Sequence, residues 1–257
     1  MDLQLSDKIA VITGASRGIG RAIAEELSRE GMRLIITARS ADLLHEVAHS
    51  CPGEAVAFPA DLRHEDTPRR LIDFAMETFG RIDLLVNNAG ATKRGDFLQL
   101  TEEDWHDGFD LKFYGAVRCC RAAWPHLVAT GGAIVNIVGV GGRTGSAEFA
   151  IGGAVNAAVL NLTKVLADRG IADGVRVNAI NPGAIVTDRL HTRIRALSEE
   201  RSLPLGEAAA RMARTLGVDR FGEPAEIASV VAFLASPAAG YCQGAIIDVD
   251  GGQTRTL

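Results

Sequence analysis

The chain has 257 residues, of which 47% are hydrophobic, so it can form one large core, and its net charge of −5 with interspersed signs excludes the basic face typical of proteins that bind nucleic acid or acidic membranes. The first residues lack the charged and then apolar order of a signal peptide, and no apolar run approaches the length that crosses a bilayer, so we expect a cytoplasmic protein that binds no membrane. The four cysteines form no C-x-x-C pair, which predicts reduced thiols and no metal site.

The first apolar run, at 9–12, leads into a glycine-rich loop with the sequence TGASRGIG, from Thr13 to Gly20, and then into helical spacing from Arg21. This order predicts a buried strand, a tight turn and the start of a helix. Glycine lets a pyrophosphate approach the backbone, and the unpaired N–H groups of a helix start attract anions. The loop therefore predicts a dinucleotide phosphate site; on this motif alone, an ordinary glycine-rich turn is the alternative.

Apolar runs and helical spacing alternate along the rest of the chain. Further strands are predicted at 33–37, 55–58, 82–86, 133–138, 175–180 and 245–249, and helices at 41–50, around 71–75, and at 102–129, 147–169, 188–216 and 224–234. Such alternation predicts parallel pairing through right-handed crossovers. We therefore expect an α/β fold, a single Rossmann-type doubly wound parallel sheet of about seven strands with helices on both faces, formed by one domain over residues 1–257.

The end of the second predicted strand indicates which dinucleotide to expect. A cofactor with a free ribose 2′-hydroxyl is usually bound there by an acidic residue, but this chain has Arg39. Arg39 can pair with a 2′-phosphate through two hydrogen bonds, and Arg17 in the glycine loop can add a second positive charge. Because hydrogen bonds to charged groups contribute about 1.5–3 kcal/mol each, we predict NADP(H) over NAD(H). The alternative is that both arginines are solvated surface groups.

Several motifs of the chain together resemble those of the short-chain dehydrogenase/reductase family. They are TGASRGIG at 13–20, Asp61-Leu62, NNAG at 87–90, Asn181-Pro182-Gly183 followed by Thr187-Asp188, RFGEPAEIA from Arg220, and Asp250-Gly251-Gly252. They follow the family's order over nearly the whole chain. The resemblance implies an oxidoreductase that uses a nicotinamide dinucleotide, a small-molecule substrate, and a homo-oligomer, either a tetramer or a dimer.

The resemblance also implies roles for the matching positions. Asp61 and Leu62 would contact the adenine, the NNAG segment would lie along the cofactor, and the segment from Pro182 to Thr187 would hold the nicotinamide end. Together with Arg39, the expected cofactor-binding residues are Gly14, Ser16, Arg17, Gly18, Ile19, Gly20, Asp61, Leu62, Asn88, Ala89, Gly90, Pro182, Gly183, Ile185 and Thr187. Residues at about 188–217 would form the variable substrate lid; a surface helix pair that contacts no ligand is the alternative.

The chain departs from the family at the four catalytic positions, which normally hold Asn, Ser, Tyr and Lys. In the register set by the neighbouring motifs, these positions hold Lys112, Gly139, Gly152 and Asn156. The family's tyrosine acts as acid and base, and its lysine lowers the pKa of that tyrosine and binds the ribose. We therefore expect all four functions to be absent in the form that the family uses.

A shifted register does not restore the tyrosine and the lysine. The two tyrosines of the chain, Tyr114 and Tyr241, begin no Y-x-x-x-K sequence. Lys164 lies eight residues beyond Asn156, which on a helix is about 12 Å further along and roughly 80° around, so it cannot replace the missing lysine. Phe149 is the nearest aromatic residue, but it has no hydroxyl group.

Lys112 and Asn156 are the two expected catalytic residues. Close to a cationic nicotinamide the pKa of Lys112 would fall, so that it can act as an acid, a base or a Schiff-base nucleophile. The alternative is a lysine that reaches solvent or pairs with an acid such as Asp110. Asn156 is expected to keep the ribose hydrogen bonds without the charge, and the loss of bulk at Gly139 and Gly152 predicts a wider pocket. Weaker catalytic candidates are Arg143, Ser146, Glu148 and His191.

Three functions are consistent with these patterns. The first, which we prefer because the cofactor-contacting motifs are intact, is an NADP(H)-dependent oxidoreductase with a non-standard active site that acts on an unknown carbonyl or alcohol. The second is a catalytically inactive NADP(H)-binding sensor or structural subunit. The third is a non-redox enzyme, such as a lyase or hydrolase, on the same scaffold.

Overall fold

The computed structural model describes residues 2–255. Its strands are β1 Ile9–Thr13, β2 Arg33–Ala38, β3 Ala55–Pro59, β4 Leu84–Asn87, β5 Ala133–Ile137, β6 Arg176–Pro182 and β7 Ile246–Val249. Within the described range they form a seven-stranded parallel sheet in the order β3-β2-β1-β4-β5-β6-β7. The chain starts in the middle of the sheet, moves to one edge, and returns to build the other half. This is the doubly wound α/β arrangement, so the predicted fold class is confirmed.

Helices cover both faces of this sheet. Between residues 2 and 255 the α-helices are α1 Gly18–Arg29, α2 Ala41–Ser50, α3 Thr67–Phe79, α4 Glu102–Phe109, α5 Gly115–Thr130, α6 Ala150–Asp173, α7 Asp188–Arg201, α8 Leu205–Leu216 and α9 Pro224–Ala235. Successive residues of a strand point to opposite faces. Ile12 of β1 is therefore buried in one cluster with Ile23 of α1, whereas its neighbour Val11 is buried in a second cluster with Leu71 of α3 and Leu127 of α5. These two apolar layers fix the carboxyl ends of the strands, where the predicted site lies.

Two predicted helices are interrupted in the structure. The predicted helix 102–129 consists of α4 and α5, joined by a π-helical turn at Asp110–Tyr114. Single π-helical turns inside α-helices are frequent at functional sites. The predicted stretch 188–216 is divided into α7 and α8, because Ser202 ends α7 in the left-handed region with a φ of +50°. The π-helical turn carries Lys112, so the first interruption lies at the predicted site.

The expectation that no segment reaches bilayer-spanning length is wrong for α6. By length and composition alone, Ala150–Asp173 is long and apolar enough to cross a membrane. In the structure, 44% of its most apolar window is buried inside the fold, with Val155 and Val159 among the buried residues, and the helix packs on β6. Packing against the sheet therefore accounts for the buried part of this apolar composition.

Candidate active site

The loop between β1 and α1 is closed tightly against the segment that follows β4. Gly14 has a φ of +67°, and a Cβ atom there would lie 2.8 Å from Cα of Ala89. Asn88 donates hydrogen bonds from Nδ2 to the carbonyl oxygens of Thr13 and Gly14, both at 3.0 Å. A larger residue in place of Gly14 would therefore strain the backbone and push the loop away from this segment.

Thr13 connects the same two segments through its hydroxyl group. Its Oγ1 accepts hydrogen bonds from the backbone N–H groups of Asn88 (2.9 Å) and Ala89 (3.0 Å) and donates one to the carbonyl oxygen of Val86 (3.2 Å). The predicted cofactor residues of both segments thus lie together at the carboxyl ends of β1 and β4. Asn88 uses its side chain to brace the loop, a role that sequence reasoning did not assign to it.

The start of α1 offers backbone donors to an anion. Arg17 at the N-cap makes no capping hydrogen bond through its side chain, and within the described helix 18–29 the first turn carries no acidic residue. The first N–H groups of the helix therefore lack a side-chain acceptor, and the positive end of the helix dipole is not neutralised there. Ser16 and Ile19, in the same loop, are half-buried. This loop fits the pyrophosphate of a dinucleotide.

The segment after β6 approaches the same loop from the other side. A Cβ atom on Gly183 would lie 2.8 Å from Cα of Asp250, so this stretch needs glycine where the two backbones meet. Ile185 is buried, and Thr187 lies against the glycine loop, because a Cβ atom on Gly18 would be 3.2 Å from Cγ2 of Thr187. The structure therefore brings together the residues that were predicted for the two ends of the cofactor.

Two arginines are exposed beside the carboxyl ends of β1 and β2. Arg17 lies in the glycine loop and Arg39 directly follows β2; within residues 2–255 neither has a carboxylate within ion-pair distance. The carboxylate of Asp61, in contrast, accepts hydrogen bonds from the backbone N–H (3.0 Å) and Nη1 (3.3 Å) of Arg63, and Leu62 is buried beside it. Two cations without partners and one neutralised carboxylate fit a dinucleotide that carries an additional phosphate.

Lys112 extends from the π-helical turn into the interior of the site. Its Nζ donates hydrogen bonds to the carbonyl oxygen of Val138 and to Oδ1 of Asn156, both at 2.6 Å. The aliphatic stem passes over Gly90, where a Cβ atom would lie 2.9 Å from Cδ of Lys112. The ammonium group therefore neither extends into solvent nor pairs with Asp110, which were the two alternatives to a role in the site.

The surroundings of Lys112 favour its neutral form. Burial of the ammonium group, with the positive charge of Arg189 nearby, lowers the pKa of Lys112 to about 7. A protonated lysine has three N–H donors, and the two acceptors described above take two of them. The third N–H is left for an oxygen atom of a ligand, and a pKa near neutrality allows the group to release this proton and to regain it.

Asn156 holds the ammonium group of Lys112 in place. Its side chain is buried, and Nδ2 donates a hydrogen bond of 3.5 Å to the carbonyl oxygen of Gly139. Gly139 has a φ of +128°, and a Cβ atom there would lie 3.2 Å from the same Nδ2. The glycine thus leaves room for the asparagine, and the asparagine provides an acceptor for the lysine. That Asn156 also contacts the cofactor ribose stays a prediction.

The ring of Phe149 fills the space beside Gly152. A Cβ atom on Gly152 would overlap this ring, and a Cβ atom on Gly141 would lie 2.8 Å from its Cε1. Phe149 is the N-cap residue of α6, so its ring folds back over the first turn of that helix. The expectation of a wider pocket is therefore wrong at Gly152, because the aromatic ring takes the volume that a side chain there would occupy.

The predicted lid begins next to Lys112. Arg189, in the first turn of α7, donates a hydrogen bond from Nη2 to the carbonyl oxygen of Gly90. Leu190 and Met212 are buried in one small apolar cluster, which joins α7 to α8. Arg189 was not identified as a site residue from the sequence, although the arginine-rich composition of 188–216 pointed to this segment. That the helix pair closes over a substrate stays a prediction.

The weaker catalytic candidates have other partners or are exposed. Nη1 of Arg143 lies 3.2 Å from Oδ2 of Asp248, so this arginine is neutralised by an ion pair. Ser146, Glu148 and His191 are exposed. Within residues 2–255, none of the four candidates forms a hydrogen bond with Lys112, whose partners are a backbone carbonyl and an asparagine.

Both tyrosines lie at the surface. Tyr241 is fully exposed in the loop before β7. Tyr114 is exposed as well and packs edge-on against Phe113, with ring centroids 5.4 Å apart. In the described part of the chain, neither hydroxyl group forms a hydrogen bond with Lys112 or Asn156.

Comparison with known proteins shows similarity over almost the whole chain. A family model described as Enoyl-(Acyl carrier protein) reductase matches residues 14–254. Meso-2,3-butanediol dehydrogenase from Serratia marcescens is 37% identical over 262 residues, covering 99% of this chain and 97% of that protein. 3-oxoacyl-(acyl-carrier-protein) reductase FabG from Staphylococcus epidermidis is 36% identical over 254 residues, covering 96% and 98%. The crystal structure of L-sorbose reductase from Gluconobacter frateurii, complexed with NADPH and L-sorbose, matches with a TM-score of 0.95 and 33% identity over 100% of both chains.

Proposed function

Because the chain belongs to the short-chain dehydrogenase/reductase family, we propose that it is an NADP(H)-dependent oxidoreductase in which Lys112 is the proton donor and acceptor for a carbonyl or alcohol substrate. The observation that carries this proposal is the arrangement of Lys112, whose ammonium group is held by two acceptors at 2.6 Å and keeps a third N–H for a ligand. Because fold alone does not fix the reaction, the chemistry of the Lys112 side chain decides which reaction is proposed.

The preference for NADP(H) is supported by charge. Arg39 follows β2 without a carboxylate partner in the described chain, and Arg17 adds a second cation in the glycine loop. Arginine binds phosphate through two hydrogen bonds, which suits a ribose 2′-phosphate. The crystal structure of L-sorbose reductase from Gluconobacter frateurii contains NADPH, which supports the same cofactor here.

In this proposal the lysine and the asparagine of the family's active site are interchanged in position. The family's asparagine position holds Lys112, and the family's lysine position holds Asn156. A lysine and an asparagine are therefore both retained and bonded to each other at 2.6 Å. The family's serine and tyrosine positions hold Gly139 and Gly152, so the proton donor has to come from Lys112.

NADPH bound in this crevice would supply the hydride for the carbonyl carbon. The third N–H of Lys112 donates a hydrogen bond to the carbonyl oxygen and transfers its proton as that oxygen gains negative charge. The neutral amine that remains keeps two N–H groups, which are still bonded to Val138 and Asn156. Proton transfer therefore needs no rearrangement of the side chain. For alcohol oxidation the neutral amine accepts the proton.

The test is reduction of a panel of carbonyl compounds by the purified protein with NADPH, followed by absorbance. Lys112→Met keeps the stem over Gly90 and removes every N–H donor. We expect turnover to fall by about 10²–10⁴-fold, the usual contribution of general acid catalysis, while NADPH affinity measured by fluorescence stays unchanged. Lys164→Met, on the same helix as Asn156 and bonded to the carbonyl oxygen of Gly244, is the control and is expected to keep its activity.

Three results would contradict this proposal. Near wild-type turnover by Lys112→Met would show that Lys112 does not transfer the proton. NADPH binding by the wild type without turnover of any compound in the panel would favour the sensor or structural subunit. Turnover that needs no nicotinamide cofactor would favour a non-redox enzyme on this scaffold.

A further inference from the structure

Three cations lie beside the proposed active site without carboxylate partners. Arg189 and Arg193 are four residues apart on α7 and therefore lie on one face of that helix. The guanidinium group of Arg94 lies 4.6 Å from the ring centroid of Phe149. Within residues 2–255, none of these three side chains, which we name the arginine cluster, has a carboxylate within ion-pair distance.

Two contacts fix the arginine cluster relative to the reacting group. Arg189 donates to the carbonyl oxygen of Gly90, over which the stem of Lys112 passes. Arg94 covers the ring of Phe149, and the Cζ end of the same ring lies against Gly152. Arg189 and Arg94 therefore each contact a residue, Gly90 or Phe149, that borders the proposed site.

Within residues 2–255 the charges of the arginine cluster are compensated only in part, by Glu148. Like charges at positions i and i+4 destabilise a helix, and Arg189 and Arg193 form such a pair. Burial lowers the pKa of Arg193, and the nearby charge of Arg94 lowers that pKa further, whereas Glu148 opposes this effect. A half-buried cation beside other cations is unfavourable unless a negative group binds to it.

An open groove adjoins Arg94 and leaves room for such a group. Its volume is about 470 Å³, and it is lined by Arg94, Gly95, Asp96, Ala147 and Glu148. The groove lining also carries two carboxylates: Asp96, which accepts a hydrogen bond of 3.1 Å from the backbone N–H of Leu98, and Glu148, which is exposed.

We propose that the arginine cluster binds a carboxylate or phosphoryl group on the carbonyl substrate, with Arg193 and Arg94 as the specificity-determining residues. This inference rests on the proposed function and names its substrate class, an oxo acid or an oxo phosphate. Arginine pairs with both groups through two parallel hydrogen bonds.

Cofactor phosphates are the competing occupant of the cluster. They are assigned to the start of α1 and to Arg17 and Arg39, and the charge of Arg17 acts on Arg189. Arg189 is therefore influenced by a cofactor-site cation, whereas Arg193 is one turn further along α7 and is the arginine on which the charge of Arg94 acts. For this reason Arg193 and Arg94 are the residues to substitute.

The experiment measures binding rather than turnover, by calorimetry on protein saturated with NADP⁺. The probes are two matched pairs, acetoacetate with methyl acetoacetate, and dihydroxyacetone phosphate with dihydroxyacetone. We expect one anion to bind more tightly than its neutral partner. Arg193→Gln and Arg94→Gln should each weaken binding of that anion by about 10–100-fold, the usual range for one charge-assisted hydrogen bond, without changing the affinity for the neutral partner. Arg195→Gln, exposed on another face of α7, is the matched control.

The outcomes separate this inference from the proposed function. The inference is wrong if neither anion binds more tightly than its neutral partner, if the preference survives Arg193→Gln and Arg94→Gln, or if these variants weaken NADP⁺ binding instead. If these variants lose the charge preference, the inference is supported even when no compound is turned over, and the absence of turnover then counts against the proposed function alone. Turnover of neutral carbonyls without any charge preference would support the proposed function and contradict the inference. A preference within the acetoacetate pair would indicate a carboxylate, and a preference within the dihydroxyacetone phosphate pair would indicate a phosphoryl group.

Discussion

The low pKa of Lys112 predicts opposite pH profiles for the two directions of the proposed reaction. Carbonyl reduction needs the ammonium form, so with a pKa of about 7 its rate should be constant at lower pH and fall at higher pH by about tenfold per pH unit. Alcohol oxidation needs the neutral amine, so its rate should rise with pH and become constant above about the same value. A lysine with the ordinary pKa of 10.5 would place both changes of slope at much higher pH.

The size of this effect follows from the two pKa values. At pH 7, a lysine with a pKa of 10.5 is neutral in about one molecule in 3,000, whereas a pKa of about 7 makes about half of the molecules neutral. Burial is the larger cause and the charge of Arg189 the smaller one. Arg189→Gln should therefore move both changes of slope towards higher pH, without reaching the ordinary lysine value.

The assay is kcat/KM in both directions, obtained from initial rates at substrate concentrations well below KM and measured by NADPH absorbance from about pH 5 to about pH 10, because kcat/KM reports the pKa of the enzyme without bound substrate. Wild type, Arg189→Gln and Arg195→Gln are compared, and Arg195→Gln should follow the wild type. A change of slope that persists unaltered in Lys112→Met would show that another group titrates. A shift towards lower pH in Arg189→Gln would contradict the electrostatic reasoning, because loss of a neighbouring positive charge can only favour the ammonium form.

Three further predictions concern the cofactor, the glycine loop and the aromatic ring. Arg39→Asp should weaken NADPH binding by about 10–100-fold and leave NADH binding nearly unchanged; equal weakening in fluorescence titrations would contradict a contact with the 2′-phosphate. Gly14→Ala should lower the free energy of unfolding by about 1–3 kcal/mol in urea, because its φ is +67° and its Cβ would meet Ala89 at 2.8 Å. Gly152→Ala should destabilise the wild type by about 1–3 kcal/mol but a Phe149→Ala background much less, and additive effects in this double-mutant cycle would refute the overlap with the ring.

The fold could be predicted from the sequence because its signals are local. Strands buried on both faces are continuous apolar runs, and helices between them impose parallel pairing. The first strand, predicted at 9–12, is found at Ile9–Thr13, and the glycine loop leads directly into α1. Gly14 has a positive φ and lies in close contact with Ala89, and these two features explain why this position of the loop holds glycine.

The contacts inside the site could not be predicted in the same way. The two acceptors of Lys112 lie 26 and 44 residues away in sequence, and the lysine reaches them from a π-helical turn that helical periodicity does not indicate. The ring of Phe149 beside Gly152 depends on how the N-cap of α6 folds back, which the sequence pattern does not specify. Comparison with the family's motif could therefore predict that Gly152 stands at the tyrosine position, but not that the ring of Phe149 lies beside it.

The unusual residues of the site depend on one another, and this dependence bears on whether the protein is an enzyme. The stem of Lys112 lies where a Cβ atom on Gly90 would be 2.9 Å from its Cδ, its ammonium group is bound by the acceptor on Asn156, and Asn156 lies where a side chain on Gly139 would crowd it. A site that had only lost its catalytic residues would not be expected to keep a half-buried lysine with two acceptors at 2.6 Å, because an uncompensated buried charge is costly. Substituting a tyrosine for Gly152 alone should not create the family's arrangement, since Phe149 occupies that volume. The mutual fit of these residues therefore favours a reaction that uses Lys112 over a binding protein that has lost its chemistry.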